Sequence, residues 1–160
     1  MMASELNPGD TAPDVALTTP EGGTLTLAQM RGRPLVLYFY PKDDTSGCTR
    51  EAQDFSRLKA AFDSAGVGVL GVSKDPPAKH AKFAAKHALT VSLASDEDGS
   101  ACEAFGTWIE KSLYGRKYMG IDRATFLIDG EGRIAKIWRK VKVPGHAEAV
   151  LAAAEALARA

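Results

Sequence analysis

Thr45 and Cys48 stand three residues apart in the stretch Pro41-Lys42-Asp43-Asp44-Thr45-Ser46-Gly47-Cys48. It directly follows the apolar run Leu35-Val36-Leu37-Tyr38-Phe39-Tyr40. The order predicts a strand ending at a proline, a polar turn, and a helix whose first turn carries a lone thiol. Thr45 suits the N-cap, where its hydroxyl would accept the backbone N–H of Cys48. A free cysteine is most often a small buried hydrophobe. The Lys-Asp-Asp-Thr-Ser-Gly lead-in argues for another role, because core positions rarely follow so polar a run.

A thiol at a helix start is favoured as thiolate, and a nearby cation adds to that. Lowering a thiol pKa from ~8.5 to ~6 raises the thiolate fraction at pH 7 about thirtyfold. Nucleophilicity falls with pKa at a slope of ~0.4–0.5, which removes roughly tenfold. The net gain is small, so an efficient site must also aim donors at the leaving group. Thr45, the backbone N–H groups near Gly47 and an arginine are the candidates.

The elements that must position this thiol follow from periodicity and turn residues. Asp14 to Leu17 and Gly23 to Leu27 flank a Pro20-Glu21-Gly22-Gly23 turn and predict a small hairpin. A helical turn over 27–30 precedes the buried strand 35–40. Ser46 to Ala65 predicts one helix, with Phe55, Leu58, Phe62 and Ala65 in 3-4-3 spacing and Gly66 as its stop. Strands over 67–73 and 91–94 bracket a helix over 76–88, whose two prolines suit a first turn. A short helix over 98–105 follows. Strands 124–128 and 133–138 form a hairpin through Asp129-Gly130-Glu131-Gly132, and 146–158 is the last helix. Early alternation and a late hairpin predict an α/β chain with a mixed sheet and helices on both faces.

The remaining chemistry-bearing residues read more plainly. His80, His87 and His146 lack metal-ligand spacing; His80 and His87, seven apart, share a helix face as solvated or core-edge groups. Asp43 and Asp44 read as turn residues, and Asp96-Glu97-Asp98 as a helix cap rather than a cation loop. Trp108 and Trp138 read as packing residues with polar edges. The 160 residues suit one domain, 1–160, and carry zero formal net charge without a basic run or acidic tail, which argues against nucleic acid or an anionic membrane as partner. No apolar stretch would span a bilayer, and Met1 to Gly9 lacks the features of a secretory signal. With only Cys48 and Cys102, a disulfide scaffold is excluded and a reducing cytoplasm is expected. Neither a cofactor nor a metal is called for. The missing Cys-x-x-Cys weighs against a thiol–disulfide oxidoreductase; a redox sensor that oxidises once without turnover is the reading from a different class.

Pro41-x-x-x-Thr45-x-x-Cys48 resembles the active-site motif of the peroxiredoxins. Cys48-Thr49-Arg50-Glu51 is similar to the segment that continues it, where a glutamate commonly holds the active-site arginine. Gly120-Ile121-Asp122-Arg123-Ala124-Thr125-Phe126-Leu127-Ile128-Asp129 resembles the family's arginine-bearing strand. Tyr38-Phe39-Tyr40-Pro41-Lys42, Ser95-Asp96-Glu97 and Cys102-Glu103-Ala104-Phe105-Gly106 match the Q-type, or bacterioferritin-comigratory-protein, branch. The likeness covers nearly the whole chain. It implies a thioredoxin-like fold, a mixed central sheet flanked by helices with an N-terminal β-hairpin extension.

The resemblance also implies an antioxidant thiol-dependent peroxidase acting on hydrogen peroxide and small alkyl hydroperoxides. Cys48 would be the nucleophile that becomes a sulfenic acid. Thr45 would hydrogen-bond the peroxide or thiolate, Arg123 would favour the thiolate and the departing oxygen, and Pro41 would shield the sulfenic acid. Glu51 and Gly47 would support them. Two positions depart from the branch's pattern. Its resolving cysteine sits five residues after the first, here Gln53, or on the next helix, here Phe83-Ala84-Ala85-Lys86. Cys102 remains, and its setting favours a buried structural thiol; a two-cysteine mechanism through Cys102 is the alternative. The expected mechanism therefore uses one cysteine and an external thiol such as thioredoxin, glutaredoxin or a small thiol. A monomer or weak dimer is expected.

Overall fold

β3 (Leu35–Phe39) is buried along its whole length, because strands pair with it on both edges and helices or loops cover both faces. It lies in a seven-stranded sheet of order β2-β1-β5-β4-β3-β8-β9. β3, β4 (Gly68–Ser73) and β5 (Ser92–Ser95) run parallel. β8 (Ala124–Ile128) and β9 (Ile134–Trp138) extend the sheet antiparallel on one side. The hairpin of β1 (Ala16–Thr18) and β2 (Thr24–Thr26) closes the other. The computed structural model describes residues 5–159, so the residues before Glu5 in the Met1–Gly9 reading lie outside the described residues.

Side-chain alternation along β3 divides the core. Leu35, Leu37 and Phe39 pack on one face with Phe105, Phe126 and Cys102. Val36 and Tyr38 pack on the other with Cys48, Phe55 and Phe62. α1 (Ser46–Arg57), α2 (Lys59–Ser64), α3 (Pro77–Lys86) and α5 (His146–Arg159) send apolar side chains into the second cluster, and α4 (Ser100–Ala104) into the first. Two parallel crossovers stepping the same way along the sheet put α1–α2 and α3 on one face, as right-handed connections require. No helix among the described residues is long and apolar enough to cross a membrane.

Two expectations need correction. The helix predicted over 46–65 is two helices, broken at Leu58. Thr90 donates its hydroxyl to the Ser56 carbonyl at 3.3 Å, while the Ser56 hydroxyl accepts the N–H groups of Thr90 and Val91 at 3.1 Å. These long-range bonds compete with the helix ladder, which the 3-4-3 spacing cannot register. The second correction is an added hairpin, β6 (Trp108–Leu113) with β7 (Arg116–Ile121), in a small sheet of its own. Its two-residue turn places Tyr114 at φ 51° and Gly115 at φ 78°. Such turns favour Asn-Gly or Asp-Gly, so Tyr-Gly carries a weak signal.

Candidate active site

Cys48 is the third residue of α1, which leaves the carboxyl end of β3 through the turn 40–45. Thr45 takes the N-cap position with extended backbone (φ −92°, ψ 155°), and its carbonyl accepts the first helical bond from Thr49 N–H at 2.8 Å. The expected side-chain cap is absent. Thr45 instead donates its hydroxyl to the Lys42 carbonyl at 2.8 Å, which tightens the turn. The N–H of Cys48 therefore stays free of that cap, and the positive end of α1 faces the sulfur region.

Arg123 arrives from far along the chain by strand register. Phe39 pairs with Ala124 in the antiparallel β3–β8 ladder, so the residue before Ala124 lies beside the start of the turn. Arg123 Nη2 donates to Cys48 Sγ at 3.3 Å, and Nη1 donates to Glu51 Oε1 at 2.7 Å. Cys48 and Glu51 are three apart on the inner face of α1, so one guanidinium spans both. Gly47 borders this approach: a Cβ there would lie 3.2 Å from Arg123 Nη2, close enough that the guanidinium would have to shift by a few tenths of an ångström.

Cys48 is only 2% exposed and Glu51 only 1%. Burial lifts the Glu51 carboxyl to about 7, with Arg123 pulling it back down. For Arg123, burial works against the charge, but Glu51 and Cys48 outweigh it and hold the guanidinium above its ordinary value. Pro41 opens the turn half-buried, and Thr45 is exposed at its far end. The structure thus brings Cys48, Arg123, Glu51 and Gly47 into contact, with Pro41 and Thr45 in the adjoining turn. Among the described residues no cluster of His, Cys, Asp and Glu could hold a metal ion.

Residues 8–137 match the AhpC/TSA family. The chain is 48% identical over 143 residues to a putative peroxiredoxin Bcp of Coxiella burnetii, covering 89% of this chain and 95% of that one. It is also 48% identical over 138 residues to peroxiredoxin Bcp of Bacillus subtilis, covering 86% and 88%. The chain belongs to the peroxiredoxins. Solved structures agree: peroxiredoxin Q of Xanthomonas campestris superposes with a TM-score of 0.86 at 48% identity, over 90% of this chain and 91% of that one. A second structure of that organism's bacterioferritin comigratory protein, studied for alkyl peroxide reduction, gives 0.86 at 47% identity, over 90% and 92%. The fold is thioredoxin-like, and the activity is that of a thiol-dependent peroxidase.

The second thiol of this peroxiredoxin is built differently. Cys102 is fully buried on α4, in the cluster on the opposite face of the sheet from Cys48. Burial and the neighbouring Asp96 carboxylate push its pKa far up, with Thr107 offsetting only part. Asp96 itself caps α4, accepting the N–H groups of Ala101 and Cys102 at 3.0 and 2.8 Å, and Asp98 accepts that of Ser100 at 3.0 Å. The predicted capping role of this acidic run is what the peroxiredoxin uses.

Several polar residues near the site escaped sequence reading. His80, expected to be solvated or at the core edge, is fully buried, and Asp43, read as a turn residue, is 2% exposed. They meet at 2.6 Å between His80 Nδ1 and Asp43 Oδ2, and Tyr40 donates its hydroxyl to Asp43 Oδ1. His146 is also buried, 2.8 Å from Thr125 Oγ1, and burial, then Arg123, lowers its pKa to about 4. Tyr38 stacks on Phe55 with ring centroids 4.7 Å apart. The pairing of buried histidines with a remote acid or hydroxyl leaves no mark on local periodicity. Trp108 and Trp138 carry lysines over their rings, Lys74 at 4.1 Å and Lys136 at 5.0 Å, in keeping with packing residues that have polar edges.

Proposed function

We propose that this peroxiredoxin works through Cys48 alone and returns to the thiol with the help of an external thiol. The observation that carries the reading is the Arg123 guanidinium, 3.3 Å from Cys48 Sγ and fixed by Glu51. The thiolate attacks the terminal oxygen of a hydroperoxide. The S–O bond forms as the O–O bond breaks, and the departing oxygen takes a proton to leave as water or an alcohol. Arg123 and the free N–H groups near Gly47 stabilise the negative charge on sulfur and on the leaving oxygen. Thr45 has committed its hydrogen to Lys42, so it presents lone pairs only. It accepts the O–H of the incoming peroxide and aims the reacting oxygen at Sγ. Pro41 covers the sulfenic acid.

A first external thiol then condenses with the sulfenic acid, releasing water and forming a mixed disulfide; a second thiol displaces Cys48. Thioredoxin, glutaredoxin and small thiols are the candidate reductants, with hydrogen peroxide and small alkyl hydroperoxides as substrates. Packing on opposite faces of the sheet argues against a Cys48–Cys102 disulfide, which needs Cα atoms ~4.4–6.8 Å apart. Two free, separated thiols are in keeping with a reducing cytoplasm, and the branch resemblance supports a monomer or weak dimer. Mass measurement after one equivalent of peroxide tests the reading. A gain of one oxygen on Cys48 is expected, whereas loss of two hydrogens with a Cys48–Cys102 link would sink it. Cys48→Ser should abolish turnover.

A further inference from the structure

The two consecutive aspartates of the turn meet two histidines of one helix face. Asp43 Oδ2 lies 2.6 Å from His80 Nδ1 inside the protein, and Asp44 Oδ1 lies 2.8 Å from His87 Nε2 outside it. His80 and His87 are seven residues apart, two turns of helix, and so repeat on the same side of α3 and its C-cap. The inner pair is the stronger. All three groups, Tyr40, Asp43 and His80, are at most 2% exposed, and the Asp43 carboxylate receives both the phenol and the imidazole. In such a setting each bond is retained because its loss strands a buried polar atom. Burial holds the Tyr40 phenol far above its ordinary pKa, so it remains a donor. The outer pair is looser: Asp44 is partly exposed and shared between His87 and Lys86, whose Nζ lies 2.7 Å from Oδ2. Asp44 also takes φ 62°, a backbone conformation that costs a non-glycine residue and is kept only when neighbours hold it.

We propose that His80 is a positioning residue for Cys48: with His87 it clasps the turn 40–45 onto α3 and so fixes where the sulfur meets Arg123. The proposal rests on Cys48 being the peroxidatic sulfur. Neither histidine touches Cys48; both act through the turn that α1 grows from. α3, where the branch's resolving cysteine is absent from 83–86, here serves as the buttress of the nucleophile's turn.

The test compares His80→Leu, which removes the Asp43 bond, with His80→Asn, whose amide can reproduce the Nδ1 donor. Two readouts are taken at 25 °C with folding checked by circular dichroism: the stopped-flow rate of Cys48 with hydrogen peroxide, and hydrogen exchange of the Asp43 and Thr49 amides, which are bonded to Asp75 and to the Thr45 carbonyl. His80→Leu should slow the rate about tenfold and speed exchange at Asp43 and Thr49 but not over β8, and His80→Asn should recover to within about threefold of the parent. Asp44→Ala and His87→Ala, on the surface, should each slow the rate about two- to fivefold with the same exchange pattern. A folded His80→Leu protein with the parent rate overturns the proposal, as does equal slowing in both His80 variants. If His80→Leu does not fold, an unchanged rate and exchange in both outer variants overturns it. Retained activity in Cys48→Ser would instead refute the peroxidatic reading, leaving the exchange data to judge the clasp.

Discussion

Cys48 and Cys102 are both free, both buried and both near the start of a helix, yet their surroundings oppose each other. Cys48 has a guanidinium at 3.3 Å; Cys102 has the Asp96 carboxylate beside it. Asp96 also occupies the N–H groups at the head of α4, while the Thr45 hydroxyl leaves those of α1 open. Burial alone therefore does not decide what a thiol can do. The sign of the nearest charge and the availability of helix-end donors do.

Labelling breaks or sustains this contrast most directly. Iodoacetamide at neutral pH should modify Cys48 and leave Cys102 untouched until urea unfolds the chain; peptide mapping reads both sites, and early labelling of Cys102 would contradict its setting. Cys102→Ala should keep peroxidase activity and cost stability by about 1 kcal/mol from the lost packing. Next, Arg123→Met removes the charge that separates the two environments. Peroxide consumption should fall about 10²-fold or more, the scale of losing a donor to developing charge. Gly47→Ala is subtler: its Cβ crowds Nη2 at 3.2 Å, and the displaced guanidinium should cost about tenfold in the same assay with Arg123 still present.

The smallest effect concerns pH and a residue that feels Arg123 without touching sulfur. The folded pKa of His146 is lowered from 6.5 to about 4 by burial and by Arg123. Between those values the unfolded chain binds the proton and the folded chain does not, so stability from this site is present above pH 6.5 and lost as pH falls toward 4. The loss at pH 5 relative to pH 8 should be up to roughly 2 kcal/mol. Glu51 works the other way, its raised pKa of about 7 withdrawing stability as pH climbs from 4.5 through 7. Urea unfolding of His146→Gln at the two pH values should show the acid loss reduced; an unchanged loss would show that His146 is not its source.

Much of this was legible from residue order. The strand, turn and thiol-bearing helix start follow from apolar runs and punctuation, and the resemblance supplied Arg123 and Glu51, which the register of β3 with β8 then brings to the sulfur. The parts that were not legible share a cause. The Thr45 hydroxyl turned to Lys42, the break at Leu58 follows from Thr90, and Asp43 found His80 across 37 residues. Each is a choice between two hydrogen-bond partners, one local and one distant or irregular, and local pattern sees only the first. The β6–β7 hairpin escaped because Tyr114 bears the left-handed turn position that Asn or Gly would have advertised.

The depth of Cys48 has a practical side. With 2% of the residue exposed, little of the sulfur meets solvent directly, and a reagent's girth sets how much must move to admit it. A molecule of two oxygens and two hydrogens needs little room to reach it, whereas a maleimide dye, like the thiol of a protein reductant, needs the turn to move aside. Thiol titrations with bulky probes will under-count this sulfur, and an inhibitor meant for it must be slender at its reactive end.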